Sequence, residues 1–160
     1  MASPDKLKDL PTLRQLIHGL QDEGKTVVFA NGCFDLLHVG HIRYLQAARA
    51  LGDILVVGLN GDESVRSLKG EGRPLMAERE RAEILSALSC VDYVLIFDNT
   101  TADPVLRNLQ PDIHAKGTDY TAQSVPERDT VLAYGGRIAI VGDPKDHSTR
   151  DYLRKVQGTL

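Results

Sequence analysis

Thr26-Val27-Val28-Phe29-Ala30-Asn31-Gly32-Cys33-Phe34-Asp35-Leu36-Leu37-His38-Val39-Gly40-His41 is the most telling stretch of the chain. Thr26 to Ala30 is a short, β-branched apolar run with the composition of a buried strand. Asn31-Gly32 leads out of it into a turn, and a helix is expected from about Val39 to Leu51. Strand, turn and helix in that order place the turn at the carboxyl end of a strand and the N-terminus of a helix. That is where backbone N–H groups and the helix dipole favour an anion.

Upstream, Leu13, Leu16, Ile17 and Leu20 recur at helical spacing and give an amphipathic first helix that Gly24 can end. Downstream the alternation continues: a strand over Ile54 to Leu59, a helix from about Ala77 to Ser89, a strand over Tyr93 to Phe97, a helix near Pro104 to Leu109 and a strand over Ile113 to Lys116. A helix near Val125 to Tyr134 then leads through Gly135-Gly136 to a strand over Arg137 to Val141, and a last helix starts near Ser148. Strands separated by helices imply an α/β fold: a single Rossmann-like, doubly wound parallel sheet of about five strands, with right-handed crossovers placing helices on both faces. Ligands are expected at the carboxyl ends of the strands, where the strand order reverses. The 160 residues fit one domain spanning residues 1–160, with residues 1–24 as a helical extension packed on it.

Composition narrows the function. Apolar residues make up 42% and charged residues 26% of the chain, an ordinary globular mixture. A formal charge of -3 and a pI near 5.9 argue against a general nucleic-acid binder, which needs a basic face to displace counterions. Cys33 and Cys90 are the only cysteines, too few for a disulfide framework, and Met1 to Leu10 lacks the apolar core of a signal peptide. The expected compartment is therefore the cytoplasm. No apolar run approaches the roughly 20 residues that cross a bilayer, so no membrane partner is expected.

His38 and His41 stand three apart at the expected helix start, where both imidazoles can lie on one side beside unpaired backbone N–H groups. Gly40 between them, having no β-carbon, would let a ligand approach the backbone. A zinc reading, with Cys33 joining the two histidines, lacks the fourth ligand of a structural site. Arg81, Ile84, Leu85 and Leu88 share one helical face, so Arg81 is expected to be buried and to need an anion: a ligand phosphate, or an ion pair with Asp35 or Asp92. The polar stretch Gly61 to Arg73 reads as a mobile loop able to bring Lys69 over an occupied site, with Arg66 and Arg73 as secondary candidates. Lys69 as an ordinary solvated lysine is the bland alternative. Ser148-Thr149 before Asp151, Tyr152 and Leu153 reads as a capped helix start. Gly19 to Thr26 satisfies the P-loop pattern letter by letter, yet a helix precedes it and a strand follows, the reverse of a working P-loop.

The run Asn31 to His41 resembles the HxGH signature of the cytidylyltransferase-like branch of the nucleotidyltransferase superfamily. Leu51-Gly52-Asp53, Leu68-Lys69-Gly70, Arg73-Pro74, Glu80-Arg81, Val91-Asp92 and Lys116-Gly117-Thr118-Asp119-Tyr120 follow in that family's order, so the resemblance spans nearly the whole chain. Asn-Gly-Cys-Phe-Asp, Leu-Lys-Gly with Arg-Pro, and Lys-Gly-x-Asp-Tyr are most similar to bacterial heptose 1-phosphate adenylyltransferases. The resemblance implies catalytic roles for His38, His41, Lys69 and Arg81. It implies a nucleotide site at Asn31, Gly32, Cys33, Phe34, Gly40, Lys116, Gly117, Asp119, Tyr120, Ser148 and Thr149, and contacts to the acceptor at Asp35 and Arg73. One departure stands out: the family usually has a small residue before Ser-Thr and a second Ser or Thr after it, where this chain has His147 and Arg150.

The implied reaction transfers AMP from ATP to a sugar 1-phosphate, here a heptose 1-phosphate, and releases pyrophosphate to give ADP-heptose for surface polysaccharide. Mg²⁺ is expected on the triphosphate rather than on protein ligands. A phosphate monoester has its second pKa near ~6, so the nucleophile is already ionised and no dedicated base is needed. The alternative is a cytidylyltransferase using CTP and a polyol or amino-alcohol phosphate such as glycerol 3-phosphate. A third reading is a non-catalytic nucleotide sensor, which the joint presence of both histidines, Lys69 and Arg81 disfavours. By resemblance the enzyme is a homodimer, and a separate sugar kinase would supply the acceptor.

Overall fold

Val27, Val28, Phe29 and Ala30 are all fully buried, because an apolar run without alternation has no side to give to water. They open β1 (Val27–Gly32), which pairs in parallel with β2 (Ile54–Asn60) on one side and β4 (Ile113–Lys116) on the other. β3 (Tyr93–Phe97) adds beyond β2 and β5 (Arg137–Ile140) beyond β4, giving the all-parallel order β3-β2-β1-β4-β5. The computed structural model describes residues 6–144 and 146–159, so the parts of the expected 1–160 unit at residues 1–5, 145 and 160 lie outside the described residues. The chain winds outward from β1 to β3 and then returns to β4. The order therefore reverses between β1 and β4, which fixes where a ligand cleft belongs.

Seven helices are described: α1 (Leu10–Asp22), α2 (Val39–Arg49), α3 (Asp62–Lys69), α4 (Glu78–Ser86), α5 (Asp103–Leu109), α6 (Arg128–Ala133) and α7 (Thr149–Thr159). Alternate residues of β1 feed two cores. Val28 and Ala30 pack with Leu45 of α2 and Leu85 of α4, while Val27 and Phe29 pack with Leu13 and Ile17 of α1 and Leu106 of α5. Thus the expected sheet with helices on both faces is what forms. The Asp9 carboxylate caps α1 by accepting from the Thr12 N–H at 2.9 Å, and Gly24, with φ of 86°, follows its end. None of the described helices is long and apolar enough to cross a membrane.

Two expectations are corrected. Gly61 to Arg73 is not a loop throughout, because residues 62–69 form α3, with Asp62 and Glu63 in the first turn and Arg66 and Lys69 in the last. That charge order complements the helix dipole, and Val65 anchors the helix by complete burial. On α4 the buried strip is Arg81, Ala82, Leu85 and Ser86, whereas Ile84 is 39% exposed. The helix ends at Ser86, and its buried strip is turned from the one the periodicity suggests, taking in Ala82 and Ser86 in place of Ile84.

Candidate active site

The first turn of α2 is held by its own imidazoles. His38, in extended conformation, is the N-cap: its Nδ1 accepts from the Gly40 N–H at 3.1 Å, and Nδ1 of His41 accepts from the His38 N–H at 3.3 Å. This is a capping box built from histidines. An imidazole nitrogen that accepts from a backbone N–H carries no proton, so each neutral ring holds its proton on Nε2. The rings stack with centroids 3.9 Å apart and planes at 28°, and Phe34 meets the His41 ring edge-on at 5.3 Å. The N-terminus of a helix is where backbone N–H groups and the dipole favour an anion, and the two stacked imidazoles stand at that place.

Gly40 matters for a reason other than ligand approach. A β-carbon there would lie 2.9 Å from the His38 ring and 3.4 Å from Cβ of His147, so the glycine makes room for the cap itself. The space a β-carbon would take there is lined by His38 and His147. Phe34 adopts φ of 45°, an uncommon backbone state for a bulky residue that costs on the order of 1–3 kcal/mol, and its buried ring covers Gly32.

A second helix N-terminus meets the first. The Thr149 hydroxyl donates to the Leu36 carbonyl at 3.1 Å, and the Tyr152 and His38 rings lie 5.5 Å apart. Ser148 caps α7, its Oγ accepting from the Asp151 N–H at 3.1 Å, as the capped-start reading expects. Both hydroxyls therefore serve structure here, and the donors α7 offers an anion are the N–H groups of its first turn.

The ends of β1 and β4 form the opposite wall. Lys116, one residue beyond the Ala30–Ala115 pairing, is nearly buried, with its ammonium 4.6 Å from the centroid of the Tyr120 ring. The turn beyond it is closed by the Tyr120 N–H donating to the Gly117 carbonyl at 3.1 Å, and the Thr118 hydroxyl donates to the Asp143 carbonyl. Asp119 stands over Gly117, whose missing β-carbon would be 3.1 Å from Oδ1. The structure thus gathers Asn31, His38, His41, Lys116 to Tyr120, Ser148 and Thr149 around the point of strand reversal.

Asp35, Arg73 and Arg81 serve inside the protein. The buried Asp35 carboxylate accepts from Arg73 Nε at 2.7 Å and from the N–H groups of Leu75 at 2.8 Å and Met76 at 3.0 Å. Burial pushes its pKa up, but the Leu75 and Met76 N–H groups and then Arg73 outweigh that, holding the carboxyl below its ordinary value. Asp35 and Arg73, the two residues expected to contact the acceptor, are thus paired with each other. Arg81, whose side chain is fully buried, donates from Nε to the Met76 carbonyl, from one terminal nitrogen to the carbonyls of Cys33 and Asn60, and from the other to Asp62 at 2.8 Å. Within the protein its ion-pair partner is Asp62 rather than Asp35 or Asp92. It is a clamp joining α3, α4 and the ends of β1 and β2.

Lys69 is exposed at the end of α3, close enough to Cys33 for its charge to act on the thiol. Burial pushes the Cys33 thiol up against the pull of Lys69, Arg81 and Arg73, so Cys33 is a neutral thiol lining the site. The sequence reading missed His114, which is fully buried on β4 with Nε2 2.9 Å from Asn31 Oδ1. It also missed Tyr44, whose hydroxyl ties α2 to the Ala115 carbonyl at 2.6 Å. A polar residue inside the apolar run Ile113 to Ala115 was the available signal for the first; nothing local marks the second.

Comparison with known proteins fits this geometry. The family described as "Cytidylyltransferase-like" matches residues 29–152, from β1 into α7. The chain belongs to the cytidylyltransferase-like family. It therefore stands among enzymes of nucleotidyl transfer. Two relatives of this cytidylyltransferase-like chain are named "Bifunctional protein HldE": that of Citrifermentans bemidjiense is 53% identical over 154 residues, 96% of this chain and 32% of the relative, and that of Syntrophotalea carbinolica is 50% identical over 151 residues, 94% and 31% respectively. The chain thus spans about a third of the length of the relatives it matches. Among solved structures, the lipopolysaccharide core biosynthesis protein from Thermoplasma volcanium superposes with a TM-score of 0.66 at 28% identity, covering 76% of this chain and all of its own.

Proposed function

We propose that this member of the cytidylyltransferase-like family transfers AMP from ATP to a heptose 1-phosphate, giving ADP-heptose and pyrophosphate. An oxygen of the sugar phosphate attacks the α-phosphorus, the bond from that phosphorus to the bridging oxygen breaks, and the electron pair leaves with pyrophosphate. The observation that carries the reading is the pairing of His38 and His41 at the N-terminus of α2, where each accepts a backbone N–H at Nδ1 and the two rings stack with centroids 3.9 Å apart. Donors fixed before the reaction stabilise the charge developing on the crowded phosphorus without reorganising. The acceptor phosphate needs no general base, being ionised at neutral pH.

Lys69, on its helical arm, supplies an ammonium to the triphosphate. Lys116 to Tyr120 and the Asn31 to Phe34 turn hold the nucleoside. Arg81, Asp35 and Arg73 position the walls. Among the described residues no group of three His, Cys, Asp or Glu side chains lies together to hold a metal ion. A divalent ion, Mg²⁺ in our proposal, would thus be held by the triphosphate and screen its charge. The protein would act in the cytoplasm as a homodimer, with a kinase supplying the sugar phosphate. The family's own name favours a second reading, in which CTP and a polyol phosphate such as glycerol 3-phosphate are the substrates.

A panel of nucleoside triphosphates crossed with sugar and polyol phosphates, read by pyrophosphate release, decides between them. The expected result is release with ATP and heptose 1-phosphate, lowered about 10²- to 10⁴-fold in His41→Ala, whose melting temperature falls only by the few degrees that a lost helix cap costs. Turnover of CTP without ATP would move the conclusion to the second reading. Binding of nucleotide without release against any acceptor would leave only a sensor.

A further inference from the structure

His147 lies outside the HxGH run and occupies a position where the resembling family has a small residue. In this fold it sits directly on the phosphate site. Its Cβ is 3.4 Å from where a β-carbon of Gly40 would stand, and its ring centroid is 6.3 Å from that of His38 with planes within 26°. Tyr152 lies 6.4 Å away, at 18° to the His147 ring. Three imidazoles, those of His41, His38 and His147, are thus arrayed with similar ring planes where the N-termini of α2 and α7 converge.

The two nitrogens of His147 are not equivalent. Nδ1 is 2.6 Å from Asp146 Oδ1, an ion pair in the protonated ring, which leaves Nε2 as the nitrogen for a ligand. A carboxylate on one side of an imidazole fixes which ring nitrogen it engages and orients the ring, as it does for histidines that work against an anion. The His147 side chain keeps 31% of its surface exposed, so a ligand can reach it. Meanwhile the Ser148 and Thr149 hydroxyls are spent on the helix cap and on Leu36.

We propose that His147 is a third phosphate-binding imidazole of this active site, presented by the lead-in to α7 and backed by Asp146, and that it holds the triphosphate of the nucleotide rather than the acceptor. The inference rests on the nucleotidyl-transfer reading above. A charge-assisted hydrogen bond at such a site corresponds to about tenfold or more in affinity.

The test compares wild type, His147→Ala and His147→Phe in the full chain. Calorimetry with ATP and with inorganic triphosphate gives binding, and pyrophosphate release gives separate KM values for ATP and for the acceptor. Phenylalanine keeps a ring against His38 and Tyr152 but carries no nitrogen. The expected result is that both variants weaken ATP and triphosphate about tenfold or more, raise the KM for ATP alone, and melt with the wild type. Wild-type ATP affinity in His147→Phe would show that the ring only packs, and overturn the proposal. So would a parallel rise in both KM values, the mark of a loosened α7. If wild type binds ATP but releases no pyrophosphate with any acceptor, the functional reading falls and calorimetry still decides His147. If wild type binds neither ATP nor triphosphate, both fall.

Discussion

Asp35 shows how one side chain can tie the walls of a site together. Its carboxylate joins the β1–α2 turn to residues 73–76 through three donors. Asp35→Asn puts an N–H₂ group against backbone N–H groups, so we expect a loss of about 2–4 kcal/mol in a denaturant titration. The pH dependence has a definite sign. The folded-state pKa lies below the unfolded one, so this carboxylate's contribution is fully present above the unfolded value of about 4 and is lost as pH falls through the folded value. The acid limb of stability below about pH 4 is therefore expected to be shallower in Asp35→Asn than in wild type. Residue types and spacing made His38 and His41 legible, because a helix start and two imidazoles are local facts. The partners of Asp35 and Arg81 were not legible. Helical periodicity says which face is buried, whereas Met76 and Cys33, which meet these residues from 41 and 48 positions away, are placed only by the fold.

Among the elements, β4 carries the most expensive polar group. His114 is fully enclosed, its Nε2 pairs with Asn31 while its Nδ1 has no hydrogen-bond partner among the described residues, and burial, with Lys116 adding to it and Asp103 opposing, pushes its pKa down to about 3. Its ring is expected to show no titration by NMR between pH 5 and 8. The unfolded chain takes up a proton near pH 6.5 that the folded chain refuses, so stability falls as pH drops from there toward the folded value, at up to ~1.4 kcal/mol per pH unit. His114→Leu removes both that slope and the unpaired nitrogen. We expect it to be as stable as wild type or more so at neutral pH, and to lose less on acidification, as followed by thermal melts across pH. The strands themselves were readable almost to the residue, since β3 and β4 span the limits that apolar runs suggested. α3 was not, because a helix with only Ser64 and Val65 buried has too few apolar residues to show a period. Its acidic start and basic end were the signal available.

At the scale of the molecule, the family match begins at residue 29, but the second core does not. Leu13 and Ile17 of α1 are fully buried against Phe29, Val56 and Leu106. Either residue changed to alanine is expected to cost about 2–5 kcal/mol in equilibrium unfolding, as much as a core residue within the family match. The alternation of strands and helices made the doubly wound sheet legible, whereas the place of the reversal, between β1 and β4, came only with the observed strand order. The convergence of α7 on α2 was beyond reach of the sequence, because it depends on a contact between Leu36 and Thr149, 113 positions apart.

That long closure has a temporal corollary. Sheet and cores are complete by β5, yet the cleft lacks its last wall until the chain's final helix settles against α2. After dilution from denaturant, the circular dichroism of the backbone should recover ahead of pyrophosphate release. A nascent chain still short of α7 should be well packed and inert.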